Sequence, residues 1–171
     1  GSNIRRIRIP RISTRQCALL LGAVIVVVTV QQYARHGYNN YSIFANSLKI
    51  LLAHQNLYIP HPEFYSDLYK YSPTFALFMA PFTWQPVFTG LLCWNLLSGF
   101  ALFAAVRAVW PDERRLVATM ALVVIELVTS MQNAQSNALV AALIVLAFVH
   151  LEREQSWRAG FSIAAGFFLK G

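Results

Sequence analysis

The sequence predicts an all-α fold, a multi-pass transmembrane helical bundle with juxtamembrane helices in a long first outer loop. Hydrophobic residues make up 57% of the 171 residues and charged residues only 12%, whereas soluble domains carry about a quarter charged residues. The charged residues gather in short clusters, and the apolar runs between the clusters are too long for ordinary core strands. The first run is β-branched, yet a lone strand in lipid would leave its backbone groups unpaired, so we expect a helix there as well.

Five apolar runs are expected to cross the bilayer. They cover about residues 17–34, 86–109, 116–131, 138–151 and 157–171. The third and fourth runs are shorter than the roughly 20 residues that a crossing needs. We therefore expect their polar junction to lie below the membrane surface beside a watery cavity. The fifth run is still apolar where the sequence stops, so we expect residues 1–171 to be one membrane domain, the N-terminal part of a longer protein.

A polar, aromatic loop of about residues 35–72 follows the first span, and a short apolar helix is expected at 74–82. Within the loop, residues 41–52 carry apolar side chains at helical spacing, which predicts an amphipathic helix on the membrane surface. Pro60 and Pro62 favour an extended segment after it. Residues 63–69 are expected to form one or two helical turns.

The basic residues predict the orientation in the membrane. If the N-terminus is cytoplasmic, Arg35, Lys49 and Lys70 are the only basic residues of the outer segments. The cytoplasmic segments then carry Arg5, Arg6, Arg8, Arg11, Arg15, Arg107, Arg114, Arg115, Arg153 and Arg158. This asymmetry agrees with the positive-inside rule. Because the basic residues mark the ends of apolar runs rather than one face, no nucleic-acid partner is expected. The outer loop and the junction at 132–137 should face each other.

Three acidic residues are candidates for chemistry. Glu63 and Asp67 are four residues apart in the outer loop and would share one face of a helix. They are either a general base or metal ligand, or solvated loop acids. Glu126 lies ten residues into an apolar span, where a carboxylate is costly. It either contacts a substrate or makes a structural hydrogen bond to a neighbouring helix.

Amides and one lysine are candidates for binding. The amide side chains of the junction suit sugar hydroxyls or cap the two helix ends; they belong to Gln132, Asn133, Gln135 and Asn137. Lys170, in the outer half of the fifth span, suits a phosphate or snorkels to the interface. The four histidines show no ligand spacing, so no metal site and no cofactor are predicted, and a divalent metal stays open.

Several motifs resemble glycosyltransferase family 87. Residues 40–44 (NYSIF), 55–58 (QNLY) and 69–73 (YKYSP) resemble the first outer loop of that family. Gln135-Ser136-Asn137 resembles its Gln-x-Asn motif, and residues 159–170 resemble its fifth span, which ends in lysine. The motifs occur in the family's order and spacing across about residues 30–171.

The resemblance implies a membrane enzyme of the GT-C fold, similar to mannosyltransferases that use a polyprenyl-phosphate sugar. Such an enzyme moves a hexose to a glycan or glycolipid acceptor on the outer face of a bacterial inner (plasma) membrane. The expected partners are the lipid-linked donor, the acceptor and membrane lipid. Residues 1–171 alone are expected to be inactive.

The resemblance also implies roles for individual residues. At the position of the family's Asp, thought to be the catalytic base, this sequence has Asn40, and an amide cannot take up a proton. Either Glu63 or Asp67 then supplies the base, or the base lies in the C-terminal part of the longer protein, or the protein is not a transferase. Lys170 would bind the lipid phosphate, and residues 74–82 would guide the tail.

The donor pocket would be shaped by Tyr71, Gln135 and Asn137, with Glu126 and Gln132 as further substrate contacts. Two other classes of protein remain open. One is a transporter in which Glu126 and Lys170 relay an ion. The other is a non-catalytic, lipid-binding membrane subunit, which is compatible with Asn40.

Overall fold

The computed structural model describes residues 12–170, and that range contains eight helices and no strand. The helices are α1 (Thr14–Ala34), α2 (Asn39–Leu52), α3 (Pro73–Phe78), α4 (Ala80–Thr83), α5 (Val87–Val109), α6 (Glu113–Gln132), α7 (Asn137–Glu152) and α8 (Ser156–Lys170). The predicted all-α class is confirmed. Among the described residues, α1, α5 and α6 are long and apolar enough to cross a membrane, and α7 is a shorter apolar helix.

Local capping sets where two of the long helices begin. Ser13 and Gln16 form a reciprocal capping box at the start of α1, because Ser13 Oγ accepts from Gln16 N and Gln16 Oε1 accepts from Ser13 N. At the start of α6, the Asp112 carboxylate accepts from the backbone N–H of Arg115 at 3.0 Å. The cap extends α6 to 20 residues, beginning at Glu113.

The lengths correct one expectation. The third span was expected to be too short for a crossing, and this is wrong, because the Asp112 cap adds residues at its start. The fourth, α7, has 16 residues. At 1.5 Å per residue it extends about 24 Å, which is short of the roughly 30 Å of a hydrocarbon core.

Helix α5 lies at the centre of the helix packing. This helix contacts α1, α6 and α7, while α1 also contacts α6, and α7 also contacts α8. A second group of side chains packs α2, α3 and α4 over the start of α5, with Trp94, Phe44 and Phe75 fully buried at its centre. We call this end of the bundle, with residues 35–86, the loop end.

The opposite end of the bundle joins the starts of α1 and α6. Thr14 donates from its backbone N–H and its hydroxyl to Glu113 Oε1 at 2.9 and 3.1 Å. Arg153 donates to the carbonyl of Ala108 at 3.0 Å. Part of the evidence for the predicted orientation comes from four arginines that lie outside the described residues: Arg5, Arg6, Arg8 and Arg11. The cytoplasmic assignment of this end stays a prediction.

The loop end differs from the sequence prediction in two places. The expected helix at 74–82 is two short helices, α3 and α4, separated at Met79. Pro81 explains the break, since it has no N–H to donate to the carbonyl of Leu77. Residues 63–69 form no helix; Phe64 and Tyr65 donate to the carbonyl of His61 in a turn. The amphipathic helix is confirmed as α2, whose Ile43, Phe44 and Leu48 are buried.

Candidate functional site

The outer loop and the polar junction between α6 and α7 are in direct contact. Asn40, in the first turn of α2, donates from Nδ2 to the carbonyl of Asn133 at 2.8 Å. Gln32, near the end of α1, donates from Nε2 to the carbonyl of Gln132 at 3.1 Å. The two regions that were expected to face each other therefore lie at the same end of the bundle.

A tight turn sets the shape of the junction. Helix α6 ends at Gln132, and Ala134 then adopts a left-handed conformation with φ of 47°. The backbone N–H of Gln135 returns to the carbonyl of Ser130 at 2.9 Å, which closes the end of the helix. Helix α7 begins at Asn137, so the amides before and after the turn are free to point to different sides.

Lys170 forms a short polar chain with the second half of the junction. Its Nζ donates to Asn137 Oδ1 at 2.9 Å, and Asn137 Nδ2 donates to Gln135 Oε1 at 2.7 Å. Asn133, in contrast, caps its own helix, since its Nδ2 donates to the carbonyl of Thr129 at 2.9 Å. Of the two interpretations of the amides, capping applies to Asn133, while Gln135 and Asn137 orient an ammonium group.

Tyr71 lies beside this polar chain. Its ring stacks on Phe75 at 4.8 Å between centroids and meets Phe44 edge-on at 5.0 Å. Burial raises the pKa of the Tyr71 phenol, and the neighbouring Ser136 side chain acts in the opposite direction. The phenol is therefore a neutral hydrogen-bond donor near pH 7. Ser72 donates to the carbonyl of Phe168 at 3.3 Å, which ties this segment to the end of α8.

An apolar groove runs between α3, α5, α7 and α8. Its volume is about 510 Å³, and hydrocarbon groups cover nearly all of its surface. The lining residues are Thr74, Leu77, Phe78, Leu97, Leu139, Leu143, Phe161, Ala164, Ala165, Phe168 and Leu169. Leu169 immediately precedes Lys170, and Leu139 lies two residues after Asn137. The groove is therefore lined by residues that lie close in the sequence to both members of the Lys170–Asn137 pair.

The two loop carboxylates already have partners. Glu63 Oε1 lies 3.1 Å from Nδ1 of the buried His61, and the pKa of Glu63 is lowered by its own backbone N–H and by that histidine. Asp67 accepts from the backbone N–H of Leu68 at 2.7 Å and pairs with Lys70 at 3.2 Å; these contacts lower its pKa. Among the described residues, neither carboxylate has a hydrogen bond to the Lys170 chain.

A model of glycosyltransferase family 87 matches residues 69–171, more than half of the sequence. The chain belongs to glycosyltransferase family 87. Together with three helices of spanning length, membership makes the protein a membrane glycosyltransferase. Neither the curated proteins nor the solved structures gave a match. The matched range includes Tyr71, the junction and Lys170. It begins after Asn40, Glu63 and Asp67.

Two of the substrate contacts expected for a family 87 transferase lie away from the groove. Glu126 is exposed on the outward side of α6, next to Ile125 and near Leu122, which are 76% and 82% exposed. Gln132 is exposed at the other side of the junction, where its Nε2 donates to Gln31 Oε1 at 3.3 Å. Their substrate roles stay predictions. In residues 12–170, no three His, Cys, Asp or Glu side chains are grouped as metal ligands would be.

A buried polar network in this glycosyltransferase was not predicted from the sequence. Asn95, the ninth residue of α5, donates from Nδ2 to Thr29 Oγ1 at 3.0 Å and to Gln32 Oε1 at 3.4 Å. All three side chains are buried. Gln32 also reaches the junction, so the network connects the middle of the bundle with the loop end. The signal in the sequence was an asparagine inside an otherwise apolar span.

Proposed function

We propose that this glycosyltransferase moves a mannose-like hexose from a polyprenyl-phosphate donor to a hydroxyl of a glycan or glycolipid on the outer membrane face. One observation carries the proposal: an apolar groove of about 510 Å³ is lined by Leu169 and Leu139, which lie next to Lys170 and close to Asn137 in the sequence, and these two polar residues are hydrogen-bonded. A lipid-linked phosphate has the complementary shape and chemistry, with a hydrocarbon tail on one side of a single anionic group.

The tail would bind along the groove. Leu77 and Phe78 of α3, together with Phe161 of α8, offer exposed or half-buried apolar surface there. Burying each methylene group of a prenyl chain contributes about 0.8 kcal/mol. A few isoprene units in the groove would therefore supply most of the binding energy, and the polar groups would set the position of the phosphate.

The phosphate would bind at Lys170. An ammonium group is a compact point charge suited to a phosphate oxygen, and Asn137 holds it at the end of the groove. The neutral Tyr71 phenol and the Gln135 amide are nearby donors for the phosphate or the sugar. Positive charge at this point would also stabilise the negative charge that develops on the departing phosphate.

The proposed reaction needs one base. The acceptor hydroxyl oxygen attacks the anomeric carbon, the bond from that carbon to the phosphate oxygen breaks, and the phosphate keeps the electron pair. The hydroxyl proton goes to a carboxylate. Asn40 cannot accept it, so Glu63 and Asp67 remain the candidates of this chain, and either would have to exchange its present partner for the acceptor hydroxyl.

The test uses the full-length protein and a radiolabelled polyprenyl-phosphate hexose. Lys170→Met should reduce sugar transfer at least about tenfold, and Lys49→Met, which changes a lysine on α2, should leave it unchanged. Equal transfer by the Lys170→Met variant and the wild type would contradict the proposal. Of Glu63→Ala and Asp67→Ala, the variant of the true base should lose about 100-fold or more. Full turnover in both would remove both residues from the mechanism.

A lipid-binding, non-catalytic subunit is the second candidate. It is favoured by the neutral Asn40, which is engaged with Asn133, and by the two paired carboxylates. Binding of the labelled donor without release or transfer of sugar would support it. The transporter interpretation has no comparable support, because Glu126 faces outward from α6 while Lys170 bonds to Asn137.

A further inference from the structure

A second cavity of different character lies at the loop end. Its volume is about 240 Å³, the volume that roughly eight water molecules occupy in liquid water. Its lining residues are Gln31, Gln32, Arg35, Gly37, Gln132 and Asn133. None of these residues lines the apolar groove. The ends of α1 and α6 therefore line a partly open cavity with polar side chains, which we call the polar cavity and which is separate from the groove proposed for the donor.

The amide groups of this polar cavity are only partly used. Gln32 is saturated, because its Nε2 donates to the carbonyls of Gly37 and Gln132, both at 3.1 Å. Gln132 Nε2 donates to Gln31 Oε1 at 3.3 Å. Among residues 12–170, this leaves the side-chain N–H groups of Gln31 and the side-chain oxygen Oε1 of Gln132 available. One wall thus offers donors and an acceptor side by side, which suits the hydroxyls of a sugar.

Arg35 adds a positive charge to the same cavity. Its side chain is exposed, and within the described part of the chain no carboxylate lies within salt-bridge distance of it. A guanidinium group presents a fork of N–H donors that matches a carboxylate or a phosphate. The cavity therefore has the chemistry for a sugar that also carries an acidic group.

The position of the polar cavity connects it with the donor site. The first residues of the junction, Gln132 and Asn133, line the cavity, and the last, Gln135 and Asn137, form the chain to Lys170. Only Ala134 separates these two sets of residues along the chain. We propose that the polar cavity binds the acceptor as an acidic sugar, with Arg35 on its acidic group. This inference rests on the proposed function, since it names the second substrate of the same site.

The test measures binding to the full-length protein by saturation-transfer difference NMR. The acceptor probes are D-glucuronate, methyl α-D-glucopyranoside and acetate, and the donor probe is farnesyl phosphate. We expect Arg35→Gln to weaken glucuronate binding about tenfold or more, with Arg35→Lys in between and Lys170→Gln unchanged. Farnesyl phosphate should show the opposite pattern, weakened by Lys170→Gln and unchanged by Arg35→Gln. That unchanged binding also confirms that the Arg35→Gln variant is folded.

Three results would overturn the inference: no glucuronate signal from the wild type, equal glucuronate binding by Arg35→Gln, or acetate binding as tight as that of glucuronate. Stronger binding of methyl α-D-glucopyranoside than of D-glucuronate would contradict a preference for an acidic sugar. If Arg35→Gln does not fold, Gln31→Leu replaces it with the same expectation. If Lys170→Gln does not change the binding of farnesyl phosphate, that result contradicts the proposed function, and it does so independently of the glucuronate result.

Discussion

The ammonium group of Lys170 lies 2.9 Å from Oδ1 of Asn137, which joins the last described residue of α8 to the first residue of α7. The two helices also pack along their lengths. The bond holds the ammonium group at the end of α8, after the groove residue Leu169, while the Asn137 amide stays neutral. A neutral partner orients the ammonium group without cancelling its charge, so the charge remains available to a phosphate.

The first prediction changes that partner. Asn137→Asp places a carboxylate beside Lys170, where it would pair with the ammonium group and repel a phosphate. We expect transfer from a lipid-linked donor to fall at least about tenfold. The matched control is Asn46→Asp, because Asn46 accepts from Lys49 Nζ at 3.2 Å on α2. Equal losses of transfer in both variants would contradict a specific role of Lys170 in binding the donor phosphate.

The second prediction concerns the contact of α2 with α5. A Cβ atom added to Gly90 would overlap the ring hydroxyl of Tyr41, whose side chain is 1% exposed, and would lie 3.2 Å from Gln85 Cβ. Gly90→Ala should therefore reduce the free energy of unfolding by about 1–3 kcal/mol. Gly160 has no atom within 4 Å of the same position, so Gly160→Ala should gain up to about 1 kcal/mol from helix propensity.

Thermal unfolding of both glycine variants in the same detergent would check this order. An unchanged melting temperature for Gly90→Ala would mean that α2 does not pack on α5 as described.

The third prediction concerns the buried polar network. Thr29 Oγ1 donates to the carbonyl of Ile25 and accepts from Asn95, so Thr29→Val removes a bond between α1 and α5. We expect a loss of roughly 0.6–2 kcal/mol in the free energy of unfolding. Thr129 makes the same bond to its own helix, at the carbonyl of Ile125, but its side chain is exposed. Thr129→Val should be close to neutral, and equal effects of the two changes would refute an interhelical role.

The fourth prediction is a pH dependence of the outer loop. His61 is 5% exposed; its Nε2 lies 2.9 Å from the carbonyl of Asn56, and its Nδ1 faces Glu63, with the neutral Tyr65 ring beside it. The Asn56 carbonyl, assisted by Glu63, raises the pKa of His61 above its usual value near 6.5 despite burial. This stabilisation is full below pH 6.5 and is lost as the pH rises through the raised pKa.

Glu63 limits the same effect on the acidic side. Its pKa is lowered from about 4.5, so its contribution is present above that pH and disappears as the pH falls through the lowered value. Hydrogen-exchange protection of residues 55–66 should therefore be greatest between pH 4.5 and 6.5. His61→Gln should flatten this profile, and His54→Gln, at an exposed histidine, should preserve it. A profile that His61→Gln leaves intact would exclude the pair as its cause.

Much of the fold could be predicted because long apolar runs in lipid have few alternatives to a helix. Local details were harder to predict. The Asp112 cap lengthened α6, and Pro81 divided the helix expected at 74–82. Both residues are visible in the sequence, but whether a cap forms or a proline interrupts a helix depends on the backbone around it.

The candidate site could be predicted only in part. Tyr71, Gln135, Asn137 and Lys170 come together because the segment before α3, the junction between α6 and α7, and the end of α8 lie at the same end of the bundle, which follows from topology. The partners of Glu63 and Asp67 depend on the irregular backbone of the loop. The outward direction of Glu126 and the bonds of Asn95 depend on how each helix is rotated in the bundle, and in lipid, which is itself apolar, the apolar side of a helix does not have to face its neighbours.

Photoaffinity labelling would show where the tail of the donor binds. A farnesyl phosphate with a diazirine near the end of its tail would be bound to the full-length protein, irradiated and mapped by mass spectrometry. We expect labels on α3 and α8, at or near Leu77, Phe161 and Phe168, and we expect the Lys170→Glu variant to lose them. A separate apolar groove lies near Cys17, between α1 and α6. Labels on that groove, or labels on α3 and α8 that the Lys170→Glu variant retains, would contradict binding of the donor tail between α3 and α8.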